Sequence, residues 1–208
     1  MGSGWSDLAE ICLAPGPGLG RPVVYTGVAA GKGSRGGVAA RLIAVLAETA
    51  PEWTGALEWG ELTLEAGPLG QPLLRLGGRP GPSLSFSRAG GLLWVAVAAA
   101  GQVGVDAVRE ADFVPPYPYA RAFGPREWDW VWRHCRGRTA SAAALLWAAK
   151  EAAVKALGVG FHTVDPLDLE VVPGDPRGEG LELVVHASEP IRAWARALPD
   201  GWLALAVT

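Results

Sequence analysis

The segment WAAKEAAVKALG, from Trp147 to Gly158, decides how this chain is read. The 208 residues hold only three lysines, Lys32, Lys150 and Lys155, and two of them flank Glu151 in a run otherwise made of Ala, Val and Leu. An α-helix turns about 100° per residue, so Trp147, Glu151 and Lys155 share one face while Lys150 projects about 60° to its side. A carboxylate and two ammonium groups gathered beside an aromatic ring can hold a metal ion and a phosphate together. The plainer reading is a surface Glu-to-Lys pair at i,i+4, worth about 0.2–0.5 kcal/mol.

Outward from this segment, the pattern predicts a long helix over about Ser141–Leu157, closed by Gly158 where helix C-termini favour glycine. A shorter helix is expected at Glu127–His134, and another at Gly37–Thr49, where Val38, Leu42, Val45 and Leu46 give an apolar face. Strands are expected at Pro22–Val28, Trp59–Glu65, Leu73–Leu76 and Ser83–Ser87, with a Gly77–Pro82 loop. Leu92–Ala99 reads as a buried strand that Gly101-Gln102 turns back into Val103–Val108 as a hairpin. The C-terminal part reads as strands at Leu167–Val172, Leu181–Ala187, Ile191–Ala197 and Trp202–Val207. GLLWVAVA from Gly91 and GWLALAVT from Gly201 echo each other, which suggests two related α+β halves.

A net charge of −3 argues against a general nucleic-acid binder, and no apolar run is long enough to span a bilayer. Cys12 and Cys135 form no metal-ligand spacing, so a reducing cytoplasm is the expected setting. No secretory signal is visible at the N-terminus. The opening Met-Gly-Ser-Gly reads equally as native or as added sequence. Ten tryptophans are present, and Trp128, Trp130 and Trp132 alternate ahead of the main helix. They suit packing between the halves or an apolar wall for a hydrophobic ligand.

Asp106 ends a Gly104-Val-Asp strand and is expected to share a face with Val108 and Glu110. Phe123…Glu127 follows, then Trp147…Lys150-Glu151-Ala152…Lys155, then Gly158-x-Gly160-Phe161 and the closing Pro199-Asp-Gly-Trp strand. In this order, over roughly residues 35–208, the pieces resemble the phosphopantetheinyl transferase superfamily in its two-lobed, surfactin-synthetase-activating form. The resemblance implies an α+β fold: a pseudo-twofold pair of similar lobes, residues 1–103 and 104–208, each a long helix on a small, mostly antiparallel sheet. It implies transfer of 4'-phosphopantetheine from coenzyme A to a serine of an acyl or peptidyl carrier protein, by a monomer, with no nucleic-acid or membrane partner. It also implies Mg²⁺ held by Asp106 and Glu151, a proton accepted at Glu151 or at a metal-bound water beside it, a phosphoryl group steadied by Lys155, and Lys150 oriented by Glu127. The coenzyme A contacts would come from Ser85, Arg88, Arg35, Gln71, Lys150 and Lys155.

Some positions depart from the family pattern. Val108 stands where a second acid is usual, leaving Glu110 to swing in or substrate oxygens and water to complete the metal shell. Phe86 replaces a histidine, with Arg88 on the same face to compensate, and Gln71 replaces a lysine. Arg35 and Arg41 are the remaining basic candidates of the first half. Two other readings stay open: a repurposed member doing acid–base chemistry, such as cyclisation or dehydration, without coenzyme A, and a non-catalytic carrier-protein binder.

Overall fold

The computed structural model describes residues 12–14, 19, 22–29, 34–51, 60–177 and 180–208. Lys32 and Trp59 lie outside them. The described residues form an α+β fold with three long helices, α1 (Arg35–Thr49), α2 (Pro125–His134) and α3 (Thr139–Ala156), and three antiparallel sheets.

The first sheet has the order β1-β2-β7-β6, from β1 (Cys12–Leu13), β2 (Val23–Ala29), β6 (Ser83–Ala89) and β7 (Leu92–Ala98). The second has the order β8-β12-β11-β10-β9, from β8 (Val103–Arg109), β9 (Glu170–Arg177), β10 (Gly180–His186), β11 (Pro190–Leu198) and β12 (Gly201–Val207). A small third sheet carries β3 (Leu62–Ala66), β4 (Pro72–Leu76) and β5 (Arg79–Pro80). The two glycine-led strands that echo in the sequence hold equivalent places. β7 lies between β2 and its hairpin partner β6, and β12 lies between β8 and its hairpin partner β11. Gly90 and Gly91 turn the first hairpin at φ +58° and +74°, values suited to a two-residue turn that matches strand twist.

Three elements differ from the sequence expectation. β7 and β8 do not form a hairpin, because β2 and β6 already occupy both edges of β7. Past Gly101 (φ +72°) the chain leaves the first sheet and β8 pairs with β12 instead, Asp106 opposite Ala204. The Gly77–Pro82 loop contains β5. The strand expected from Leu167 begins at Glu170, because Asp165 accepts a hydrogen bond from the Leu167 N–H and caps a 3₁₀ turn over Pro166–Asp168.

Packing follows the alternation of the strands. Val24, Val28, Val95 and Val97 pack against Leu42, Ile43 and Leu46 of α1. The opposite face of that sheet, with Tyr25, Trp94 and Ala96, meets Val103, Val105, Leu203 and Leu205 of the second sheet. The other face of the second sheet carries α3. That helix is buried on almost all sides, as a helix apolar all round must be; Trp147, Glu151 and Lys155 are partly exposed along one stripe. It ends as the glycine predicts. Gly158 takes φ +71°, its N–H bonds to the Lys155 carbonyl, and the Val159 N–H reaches the Val154 carbonyl, the paired bonds of a Schellman motif.

The two sheets meet along β6 and β8 through side chains. The hydroxyls of Ser83, Ser85 and Ser87 accept the backbone N–H groups of Val103, Val105 and Ala107 at 2.9, 3.0 and 3.1 Å. Both series ascend together, so the two strands run parallel. The donors on this side of β8 would otherwise be buried without partners, at a cost of about 1–3 kcal/mol each.

α3 lies so close to β8 that only glycine fits at position 104. A Cβ there would stand 1.8 Å from the Ala152 carbonyl oxygen and 2.7 Å from the Ala156 nitrogen. Gly104→Ala is therefore expected to push α3 off β8 and destabilise the protein by ~2 kcal/mol or more, from overpacking against backbone; a lowered urea midpoint at unchanged slope is the check.

Candidate active site

Asp106 points from β8 toward the C-terminal turn of α3. Lys155 donates to Asp106 Oδ1 at 2.7 Å and to the Val105 carbonyl at 3.1 Å, and its Nζ lies 3.8 Å from Glu151 Oε2. Ser87 donates to the same Asp106 oxygen at 2.8 Å. The second oxygen, Oδ2, is buried and has no hydrogen-bond partner. Asp106 and Glu151, 45 positions apart in the sequence numbering, thus converge on one ammonium group. Burial raises the Asp106 carboxyl above its ordinary value against the pull of Lys155. Burial raises Glu151 too, and the charge of Asp106 adds to it.

A groove of about 840 Å³ opens beside this cluster. One wall comes from the start of α1, the β3–β4 turn and β6; the other comes from the start of β8 and the end of α3. Arg35, Gln71, Ser85 and Lys155 all line it. Arg35 lies over the Phe86 ring, 5.1 Å from its centroid. The Ser85 hydroxyl is engaged with Val105, and Gln71 Oε1 accepts the Leu69 N–H within its own turn.

Arg88 and Lys150 do not belong to this set. Arg88 is exposed on β6 and does not line the groove, since one strand repeat beyond Phe86 carries it past the rim. Arg41, further along α1, does not line it either. Lys150 is wholly enclosed. Its ammonium donates to the carbonyls of Ala122 (2.8 Å) and Pro166 (2.7 Å) and to Glu127 Oε1, which uses its three N–H groups. Phe123 covers it, with the ring centroid 5.5 Å away. Glu127 accepts further bonds from the N–H groups of Gly124 (2.8 Å) and Val171 (2.9 Å). Lys150 and Glu127 therefore do meet, but as a buried pin joining α3, the start of α2, β9 and the loop before β9. Burial pulls the Lys150 ammonium below its ordinary value, and Glu127 opposes that pull.

Glu110 does not swing in. β8 ends at Arg109, and Glu110 opens a 3₁₀ turn where it pairs with Arg138 at 3.3 Å. Val108 packs against the α3 core. The three alternating tryptophans do not sit between the two large sheets: Trp128 stacks on Phe123 and Trp130 donates to the Val171 carbonyl, both in the cluster around α3, while Trp132 is exposed. None of the three lines the groove. The sequence reading missed Ser87, although serines at 83, 85 and 87, period two beside an Asp-bearing strand, were a usable signal.

No group of three or more His, Cys, Asp or Glu side chains able to hold a metal occurs among the described residues. Two carboxylates suit Mg²⁺, which takes one or two and fills its shell with water and substrate phosphate oxygens. The partnerless Asp106 oxygen is the feature that fits such an ion.

A family model, the 4'-phosphopantetheinyl transferase superfamily, matches residues 102–204, a span running from the start of β8 into β12. The chain belongs to that superfamily, whose members are transferases generally dependent on coenzyme A and Mg²⁺ and acting on carrier proteins. Asp106, Glu127, Lys150, Glu151 and Lys155 all fall inside the matched span. The comparison with curated proteins finds no match. No helix among the described residues is long and apolar enough to cross a membrane.

Removing one member of the buried pair leaves the other charge uncompensated, at a cost of about 3–5 kcal/mol. Glu127→Ala is accordingly expected to cost several-fold more stability than Arg133→Ala, which breaks the exposed Arg133–Asp129 pair; chemical denaturation of both variants tests this. The raised carboxyls set a second expectation. A group held above its unfolded-state value stabilises the fold below that value and loses the contribution as pH rises through its folded value. Relative to the parent, Asp106→Asn should therefore gain stability as pH rises upward from the ordinary carboxylate range, and denaturation at a series of pH values without divalent cations measures the slope.

Proposed function

We propose that this protein transfers 4'-phosphopantetheine from coenzyme A to a serine hydroxyl of an acyl or peptidyl carrier protein, with Mg²⁺. The observation that carries this reading is the meeting of Asp106 and Glu151 on the ammonium of Lys155, which itself lines the groove between β6 and the end of α3. The carrier serine oxygen forms a bond to the phosphorus nearer the pantetheine. The bridging P–O bond breaks, and adenosine 3',5'-bisphosphate leaves with the electron pair. The serine proton passes to Glu151 or to a water beside it, the carboxylate acting as general base.

Lys155 contributes a positive charge that turns from Asp106 to the phosphoryl oxygens. Such transfers depend on positioning and charge neutralisation more than on covalent help from the protein. Asp106 and Glu151 would hold Mg²⁺, which when bound neutralises the pyrophosphate. Arg35, Ser85 and Gln71, on the groove wall, would contact coenzyme A. The protein acts as a monomer in the cytoplasm, and the first lobe contributes nucleotide contacts while the second contributes the charged cluster.

The test is mass spectrometry of an apo carrier protein incubated with coenzyme A and Mg²⁺. The parent is expected to add one phosphopantetheine, while Glu151→Gln and Lys155→Met lower the rate by ~10²-fold or more and chelation abolishes it. Absence of added mass at saturating coenzyme A overturns the reading. The raised carboxyl of Glu151 also favours a second reading, acid–base chemistry on a biosynthetic intermediate without coenzyme A; turnover that survives chelation selects it.

A further inference from the structure

We propose that Ser87 is a positioning residue: its hydroxyl fixes the Asp106 carboxylate so that Oδ2 is the oxygen presented to the divalent cation. The inference rests on the metal-binding role just assigned to Asp106 and adds a residue of the first lobe to that site. Three serines of β6 bond to β8 in the same way, each accepting one N–H. Only Ser87 also reaches Asp106, donating to Oδ1 at 2.8 Å while it accepts the Ala107 N–H at 3.1 Å. A hydroxyl has a single proton to donate, so the Ala107 bond and the Asp106 bond together fix its direction.

The carboxylate is held in turn. Oδ1 takes two donors, Ser87 on one strand and Lys155 on the facing helix, and Oδ2 takes none although it is buried. A quarter-turn of the carboxylate would carry its oxygens away from both donors, and a half-turn only exchanges two equivalent oxygens. The geometry therefore selects one oxygen for the cation and ties the site to the lobe seam. Partners that orient a ligating carboxylate typically matter by ~10–100-fold in metal affinity.

A purely structural serine would hold the seam and nothing else, which Ser83 represents: it accepts the Val103 N–H and contacts Gln102. The experiment measures Mn²⁺ affinity by electron paramagnetic resonance, with Mn²⁺ alone and no coenzyme A. Parent, Asp106→Asn, Ser83→Ala, Ser87→Ala and Ser87→Thr are compared, with near-identical circular dichroism as the check on folding. Expected are loss of Mn²⁺ binding in Asp106→Asn, ~10-fold or more weakening in Ser87→Ala, parental affinity in Ser83→Ala, and recovery in Ser87→Thr. Should Ser87→Ala not fold, Ser87→Cys, with a weak donor of similar size, takes its place and is expected to fall between Thr and Ala. Equal Mn²⁺ affinity in Ser87→Ala and Ser83→Ala, with binding still lost in Asp106→Asn, overturns the positioning role and leaves the metal site standing. A parent that binds no Mn²⁺ removes both.

Discussion

The seam between β6 and β8 is the constraint on which the site depends. An edge strand that is buried must find acceptors for its outward N–H groups. β8 gives one edge to β12 and finds the acceptors for the other in serine hydroxyls instead of a neighbouring backbone. Side-chain bonds let the two sheets stay separate, each with its own helix, while their edges touch. A fully paired β6–β8 ladder would have merged them into one sheet. Because Asp106 lies on β8 and Ser87 on β6, the same seam that joins the two sheets also holds the carboxylate beside Lys155.

The second organising contact is the Lys150–Glu127 pair. A buried ion pair is a weak source of net stability, because desolvation offsets its attraction. Its value here lies in what it joins. One ammonium and one carboxylate collect the Ala122 and Pro166 carbonyls and the Gly124 and Val171 N–H groups, so α3 cannot rotate without breaking several bonds at once. Rotation is what would move Glu151 and Lys155, which lie on the stripe of α3 that remains partly exposed. Gly104 sets the remaining degree of freedom, the distance of α3 from β8.

The division of labour between adjacent residues of α3 follows from helix geometry. Lys150 and Glu151 are neighbours in sequence but about 100° apart around the axis, so one faces the core while the other lies beside Lys155 on the partly exposed stripe. The motif alone does not say which of the two faces a ligand; the structure encloses Lys150 against Glu127 and leaves Glu151 partly exposed. Burial of a lysine depends on what surrounds it, and those groups come from residues 122, 127 and 166.

Much of the architecture was legible locally. The three helices, the glycine that ends α3 and most strands follow from spacing and turn chemistry, because helical and strand periods are properties of neighbouring residues. The motif order also pointed to Asp106, Glu151 and Lys155. The β7–β8 connection was misread because a turn signal reports a reversal of the chain and says nothing of whether both edges of the preceding strand are already paired. The same limit applies to Arg88, whose strand face was deduced but whose distance past the groove rim was not, and to Glu110, whose strand ended one residue too early. The sequence by itself determined the elements and the chemical groups available. Tertiary structure alone decided which of those groups share an oxygen, because hydrogen bonds between β6, β8 and α3 join residues far apart in the chain that no local pattern relates.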